Sequence, residues 1–329
     1  MINKRSFDET TSSGVGILLA AGQGKRMRTD LPKVAHTLLG KPMILWAAES
    51  MLHAGIKNLV VVLSPQQKVV EEIIRSAKLP EGCTIRIAFQ DKANGTGHAT
   101  NCAIPTLRQL IADKNLNPES TNVMIGFGDV PAISSQALEK YFAAHIQSKH
   151  NCTVLAFRAA NPFGYGRVLC TSGGDFTAIR EEKDCAAEEK HVNLCNSGFL
   201  CAKFSDLEMY LPQLQPNNAA GEYYLTDVPG LARSQHKSVG VFSEVTQEEL
   251  EGVNSQAQLA AMAKYLQAKI VARWMDEGVQ FLMPESVYVE PSVTFDPGVI
   301  VEPFVFLAGR LHFERNARIT SGTRLSKPL

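Results

Sequence analysis

The residues with the clearest chemical potential lie between Ile17 and Lys33, ILLAAGQGKRMRTDLPK. The apolar run Ile17-Leu18-Leu19-Ala20-Ala21 breaks at Gly22 and Gly24, turns basic at Lys25, Arg26 and Arg28, and closes on Leu31-Pro32-Lys33. A strand that ends in small residues and glycines, followed by cations, offers backbone N–H groups and positive charge to a polyphosphate. The spacing is neither a Walker A loop nor the dinucleotide fingerprint, because Gly22-Gln23-Gly24-Lys25-Arg26-Met27 lacks the third glycine and the Lys-Ser/Thr pair. An arginine grips phosphate oxygens bidentately and a lysine supplies a point charge. Further on, Asp129 follows a second apolar run in Gly128-Asp129-Val130-Pro131, where the valine and proline argue against a helix cap at the aspartate.

The elements that must position these residues alternate along the first half. Pro42 to Ala54 carries apolar residues at helical spacing, and Asn58-Leu59-Val60-Val61-Val62-Leu63 reads as a buried strand. Ser64-Pro65-Gln66-Gln67 is expected to open the next helix, with Ser64 as cap, Pro65 in the first turn and Gln67 closing a capping box. Thr84 to Gln90 is a third strand, an Ala-rich helix follows Gly95-Thr96-Gly97-His98, and Asn122 to Phe127 is a fourth strand. Such alternation predicts parallel pairing with right-handed crossovers and ligands at the carboxyl ends of the strands. Gly22, Gln90 and Asp129 all fall at such ends. From Asn151 short β runs dominate: Thr153–Phe157, Arg167–Cys170, Phe176–Arg180 and His191–Cys201. They read as antiparallel additions covering the substrate side. Ser238 to Val245 is expected to be a last strand, and Val253 to about Glu277 a long connecting helix with Leu259, Met262, Leu266, Ile270 and Trp274 on one stripe.

Composition narrows the function classes. The 329 residues carry 33 Lys+Arg and 33 Asp+Glu, which gives no global reason to bind nucleic acid or an anionic membrane. No apolar run reaches spanning length, and MINKRSFDETTSSG has no apolar signal region. The seven cysteines form no C-x-x-C pair, which fits a reducing cytoplasm, and the eight histidines show no metal-ligand spacing.

The last stretch has a different periodicity. From Val287 it divides into the hexads VYVEPS, VTFDPG, VIVEPF, VFLAGR, LHFERN and ARITSG, each starting with an aliphatic residue or Ala. Six-residue periodicity with turns between predicts a parallel β-helix, here of only about two coils. The expected organisation is a flexible lead-in over residues 1–14, an α/β domain over 15–253, a linker helix over 254–279 and a short β-helix over 280–329.

Together the blocks LLAAGQGKRM, LPK, QDKANGTGHA, GDVP, GYGR, EEKD, NSGF, AGEYYLTD and EGVN resemble the sugar-1-phosphate nucleotidylyltransferases. Within them they resemble the uridylyltransferase part of the bacterial bifunctional N-acetylglucosamine-1-phosphate uridylyltransferase/glucosamine-1-phosphate acetyltransferases. The resemblance runs from residue 15 to about 280 and implies an α/β, Rossmann-like nucleotidyltransferase domain with a mostly parallel sheet, followed by a helical arm and a left-handed parallel β-helix. It implies Mg²⁺ as cofactor, UTP and N-acetylglucosamine 1-phosphate as substrates, and trimers built through the β-helix.

The resemblance also implies roles for residues. Leu19, Ala20, Ala21 and Gly22 would hold base, ribose and phosphates through backbone groups, as small side chains allow. Arg26 and Lys33 would be catalytic, facing the triphosphate and the sugar phosphate. Gln90, with Gly95 and Thr96, would read uracil, since an amide offers a donor and an acceptor to match O4 and N3–H. Asp129 and Asn254 would ligate Mg²⁺, which takes few protein oxygens and keeps sites for phosphate and water. Phe127, Gly128, Gly166, Glu181, Asn196 and Asn254 would contact the sugar-phosphate substrate, and Gly221-Glu222-Tyr223-Tyr224 would lie near the acetamido pocket. Three residues depart from the family pattern: Phe127 stands for Tyr, Ser197 for Thr and Glu182 for His. The acetyltransferase half needs a longer β-helix, so that activity is expected to be absent, and His312 has no partner region.

The expected reaction needs no general base, because the attacking phosphate monoester has a second pKa of about 6. That accords with cations, glycines and a metal aspartate in place of a nucleophile–base pair. Two rivals stay open on sequence alone: transfer to another sugar 1-phosphate, and a non-catalytic regulatory protein with a nucleotidyltransferase-like domain.

Overall fold

A computed structural model describes residues 14–327 of the chain. The expected lead-in over 1–14 lies outside the described residues except at Gly14, which is buried, its ideal Cβ position only 2.5 Å from the Phe142 ring. The chain divides into two compact units. The first comprises residues up to Gln23, Pro32–Ala35 and Ile44–Gly252; the second comprises Gly24–Leu31, His36–Met43 and the chain from Val253.

In the first unit, β1 (Val15–Leu19), α1 (Met43–His53, its first residue in the second unit), β2 (Asn58–Leu63), α2 (Lys68–Ser76), β3 (Thr84–Phe89), α3 (Thr96–Asp113), β4 (Asn122–Phe127) and α4 (Ser135–Ser148) alternate as the sequence predicts. They are followed by β5 (Cys152–Arg158), β6 (Arg167–Cys170), β7 (Phe176–Arg180), β8 (Leu194–Lys203), α5 (Phe204–Tyr210), α6 (Val228–Ser234) and β9 (Val239–Phe242). The sheet order is β9-β5-β8-β4-β1-β2-β3, with β6 and β7 off this path. β1 pairs in parallel with β2 and β4, β2 with β3, and β5 with β9; β8 is antiparallel to both β4 and β5. The sheet is therefore mostly parallel, as expected. Two of the runs expected as covering additions differ: β5 and β8 extend the main sheet, and only β6–β7 form an antiparallel pair beside it. β9 is the last strand of the sheet, as expected.

Both faces of this sheet are covered, which is why β1 and, after Asn58, β2 are apolar. Val15, Ile17 and Leu19 pack into one cluster with Ala99, Ala103 and Leu107 of α3. Leu18 and Ala20 point the other way, into a cluster with Ala47 and Met51 of α1 and Leu138 of α4. The alternation is the two-residue period of a strand. Register then fixes the functional edge. Leu19 lies opposite both Val62 and Phe127, and Leu63 lies opposite Phe89, so β1 to β4 end together.

The second unit contains the helix Gln256–Asp276, capped by Ser255, whose side chain accepts from Gln258 N–H. Met262, Leu266, Ile270 and Trp274 are buried along the predicted stripe. From Tyr288 on, the C-terminal strands pair in parallel at one offset: Tyr288 with Phe306, Thr294 with His312, Ile300 with Arg318 and Phe306 with Arg324. The preceding strand, Gln280–Phe281, pairs with Ile300–Val301 across a longer first circuit. Three hexads thus make one coil with three narrow sheets. The first and third residues of the hexads point inward: Val287, Val289, Val293, Phe295, Val299, Val301, Val305 and Leu307 are all buried. Residues 24–31 and 36–43 join this unit through their own contacts. Gln256 Nε2 donates to the Met27 carbonyl at 3.3 Å, and the Glu290 carboxylate reaches the space where Gly40 lacks a side chain. Among the described residues no helix is long and apolar enough to cross a membrane.

Candidate active site

The carboxyl ends of β1, β3 and β4 border a cavity of about 320 Å³. Its lining includes every residue of the expected nucleotide set: Leu19, Ala20, Ala21, Gly22, Lys33, Gln90, Gly95 and Thr96. Phe127 and Asp129 line it as well. Val34, Ala93, Ala99 and Glu222 complete the wall and were not singled out from sequence as nucleotide contacts. The Gly221–Tyr224 loop reaches this cavity because its backbone is tied to the loop before α3. Tyr223 N–H donates to the Asn94 carbonyl at 2.9 Å and Gly97 N–H to the Tyr223 carbonyl at 2.8 Å. Nothing in the sequence spacing signals that pairing across more than a hundred residues.

Gly95 makes the close approach possible. Its φ of 101° favours glycine, and an ideal Cβ would stand 2.5 Å from the Tyr223 carbonyl oxygen. The N-terminus of α3 follows at once, so the helix presents its positive end at Thr96 to a cavity fit for an anion or a carbonyl-rich base. Gln90 is buried at the end of β3. Its Nε2 donates to the Gly95 carbonyl at 3.1 Å and stands 3.1 Å from His98 Nδ1. The expectation that both amide groups are offered to a base is thus modified, since the donor is engaged by the protein.

Lys33 sits in the single turn Lys33–Ala35, anchored by the buried Val34 and Ala35. Its Nζ is hydrogen-bonded and ion-paired to Asp129 Oδ2. Asp129 directly follows Gly128, whose N–H continues the ladder by donating to the Leu19 carbonyl at 2.9 Å. The helix after Asp129 starts only at Ser135, capped by Ser134, so the aspartate is not a helix cap. A strand-end carboxylate in a cavity, with Glu222 on the same wall, is the kind of hard oxygen donor a divalent metal takes, with phosphate and water completing the shell. Among the described residues no cluster of three or more His, Cys, Asp and Glu side chains forms a protein-only metal cage. All seven cysteines are free thiols.

Three of the residues expected to contact the sugar lie together. Asn196 N–H donates to the Gly166 carbonyl at 2.8 Å, and an ideal Cβ on Gly166 would meet the Glu181 carboxylate at 3.2 Å. β8 bulges between Asn196 and Leu200. Ser197 Oγ holds that bulge by donating to the Leu155 carbonyl at 2.7 Å and accepting from Phe199 N–H at 3.2 Å. Bulges re-aim side chains, and this one turns Asn196 Oδ1 onto Gly198 N–H at 3.1 Å. Gly198, at φ 90°, leaves room for the Phe127 ring. Glu181 lines a smaller cavity of about 220 Å³ with Asp184, Tyr224, Thr226 and Asp227. Burial raises its carboxyl above the usual 4.5; Asp184 and Asp227 add to this, and a hydrogen bond from Thr226 opposes it. Next to it, Glu182 accepts from Gly164 N–H at 3.0 Å and from the buried Arg167 guanidinium at 2.7 Å. The position that departs from the family pattern thus braces the glycine loop around Gly166.

Arg26 and Asn254 belong to the second unit. Arg26 is exposed on the turn Lys25–Met27, which is bounded by Gly24 and Arg28 in the left-handed conformation. Asn254 is partly buried just before the long helix, and its N–H donates to Gln258 Oε1 at 2.9 Å.

Comparisons with known proteins agree with the resemblance read from the sequence blocks. A model of the MobA-like NTP transferase domain matches residues 16–192. The chain is 36% identical over 310 residues to the "Bifunctional protein GlmU" of Syntrophomonas wolfei, covering 94% of this chain and 66% of the relative. It is 37% identical over 294 residues to the protein of the same name from Clostridioides difficile, covering 89% and 60%. The Carboxydothermus hydrogenoformans protein of that name is 35% identical over 311 residues, covering 94% and 66%. The chain thus spans just under two-thirds of the length of these curated relatives. The matched region holds β1 to β4, Lys33, the Gly95 loop and Asp129, and the chain belongs to the family of MobA-like NTP transferase domains.

Proposed function

We propose that this protein transfers uridylyl from UTP to N-acetyl-α-D-glucosamine 1-phosphate, giving UDP-N-acetylglucosamine and pyrophosphate. The observation that carries this reading is the convergence of all eight expected nucleotide-site residues on one cavity at the carboxyl edge of the sheet. The similarity to relatives named bifunctional GlmU supports the choice of substrates. The product would supply cell-wall and lipopolysaccharide precursor synthesis, and assembly as a trimer through the C-terminal coil belongs to the same reading.

An oxygen of the sugar phosphate attacks the α-phosphorus of UTP in line, and the bond from that phosphorus to the bridging oxygen breaks to release pyrophosphate. The attacking oxygen is already largely ionised near neutrality, since its pKa is about 6. The protein therefore has to align two anions and offset their charge. Backbone groups of the Leu19–Gly22 turn and the N-terminus of α3 would cradle the nucleotide. Lys33 supplies the cation nearest the reacting phosphates. Asp129 would hold Mg²⁺, which when bound neutralises phosphate charge. The accepting side of the Gln90 amide would meet uracil N3–H, a position at which cytosine presents an acceptor instead.

The test is pyrophosphate release from UTP, CTP and dTTP with Mg²⁺ and a panel of sugar 1-phosphates. Release is expected with UTP and N-acetylglucosamine 1-phosphate, and is expected to stop when EDTA removes the metal. Preference for another sugar phosphate would reassign the substrate within the same chemistry. No release with any pair would overturn the catalytic reading.

A further inference from the structure

Gln67 is a buried polar side chain, 7% exposed, that neither lines the cavity nor belongs to the expected site. Its Oε1 accepts from Ser64 N–H at 2.8 Å. Its Nε2 donates to the Ala20 carbonyl at 3.0 Å and makes a longer contact, 3.5 Å, with the Gly22 carbonyl.

These partners sit where the β1–β2 ladder ends. Ala20 N–H still bonds the Val62 carbonyl at 2.9 Å. In a parallel ladder the next rung would run from Ser64 N–H to the Ala20 carbonyl. That rung is spliced open. The Gln67 carboxamide stands between the two groups, taking the Ser64 hydrogen bond on its oxygen and giving one to Ala20 from its nitrogen. A carboxamide can do this because it carries the same acceptor and donor as a peptide.

The consequence falls on the loop. No cis peptide bond is present among the described residues, and in a trans peptide C=O and N–H point opposite ways. Ala20 and Gly22 turn their carbonyls toward Gln67, which does not line the cavity, so the N–H groups of Ala21 and Gln23 point away from Gln67. A carbonyl facing a phosphate would repel it; an N–H attracts it.

We infer that Gln67 is a positioning residue for nucleotide binding: by replacing one ladder rung it fixes the peptide orientation of Ala20–Gly22 so that N–H groups meet the phosphates of UTP. This rests on the nucleotide reading of the cavity. Gln67 itself touches neither the base nor the phosphates.

Two variants test it. Gln67→Met keeps length and neutrality but has neither donor nor acceptor. Gln67→Glu keeps the acceptor for Ser64 and loses the donor to Ala20. UTP affinity is measured by calorimetry, and KM is measured for each substrate. Both variants are expected to weaken UTP binding about tenfold, the scale of one hydrogen bond to a charged group. The KM for the sugar phosphate is expected to stay within about twofold, a split that a general loss of stability would not produce. Wild-type affinity in either variant, or a parallel rise of both KM values, overturns the inference; if Gln67→Met does not fold, Gln67→Glu decides. A wild-type protein that binds UTP without releasing pyrophosphate would remove the catalytic reading and leave the binding comparison to decide Gln67. A wild type that does not bind UTP overturns both.

Discussion

Lys33 and Asp129, ninety-six residues apart in the chain, are hydrogen-bonded to each other on the wall of one cavity. Each side chain is less than a fifth exposed, so the pair is held in a setting where charge is screened only in part. Under the proposed function the two groups would have different duties toward phosphate: the lysine would attract it directly, and the aspartate through a cation.

Lys33→Ala and Asp129→Ala are each expected to lower the rate of pyrophosphate release by about 100-fold or more, the range seen when one preorganised charge-stabilising group is removed. The double variant should lose little beyond the worse single one, because groups that act as a unit are not additive. Circular dichroism should be unchanged. Near-normal turnover of Asp129→Ala with Mg²⁺ present would sink the metal assignment.

His145 predicts a pH dependence. It is 1% exposed between α4 and the sheet, with Nδ1 at 2.8 Å from Thr153 Oγ1 and Nε2 at 3.1 Å from Asn122 Oδ1. Donation from Nε2 and acceptance at Nδ1 suits one neutral tautomer. Burial lowers its pKa to about 4, helped by His150 and Lys203. A base with a depressed folded pKa contributes stability above its unfolded value near 6.5 and loses it as the pH falls toward 4. The fall is about 3 kcal/mol by the linkage relation. Urea unfolding at pH 7 and pH 4 should show a smaller acid loss in His145→Gln than in wild type, by about that amount. An equal loss in both would contradict the assignment.

Arg167 and Glu182 predict a stability effect near Gly166. Arg167 is 1% exposed, and Glu182 is its carboxylate partner at 2.7 Å. Removing one partner leaves a buried charge uncompensated, so Glu182→Ala should cost about 3 kcal/mol in urea unfolding. Glu182→Gln, which still offers an oxygen to Arg167 and to Gly164 N–H, should cost less. Equal stability of all three proteins would mean that water or Lys190 satisfies the guanidinium, whose Nη2 also lies 3.4 Å from the Lys190 carbonyl.

Strand positions were legible because their signal is local. Asn58–Leu63 reads as a strand from six consecutive residues, and all six are buried. The insertion of β8 between β4 and β5 was not legible, since antiparallel runs look alike whether they cover a sheet or enter it. The same boundary separates the two halves of Gln67. Its bond to Ser64 follows from three-residue spacing. The expected helix start does not hold, because α2 begins at Lys68 and Ser64–Gln67 form a turn. The other partners of Gln67 are the Ala20 and Gly22 carbonyls, and only the folded chain brings them near. Glu222 enters the cavity for the same kind of reason, through backbone bonds to the Gly95 loop.

The repeated offset from Tyr288 on has a consequence for how this part of the chain can change in length. Tyr288 pairs with Phe306 and Phe306 with Arg324, each step being one full circuit. Removing a single residue shifts every inward side chain outward beyond that point. Removing one hexad preserves the inward set but rotates the following faces by a third of a circuit. Only the loss or gain of three hexads restores both the buried set and the face-to-face pairing. From Tyr288 on, length is therefore quantised, in layers rather than residues, whereas the first circuit, from Gln280 to Ile300, takes up two extra residues in the turn before Tyr288.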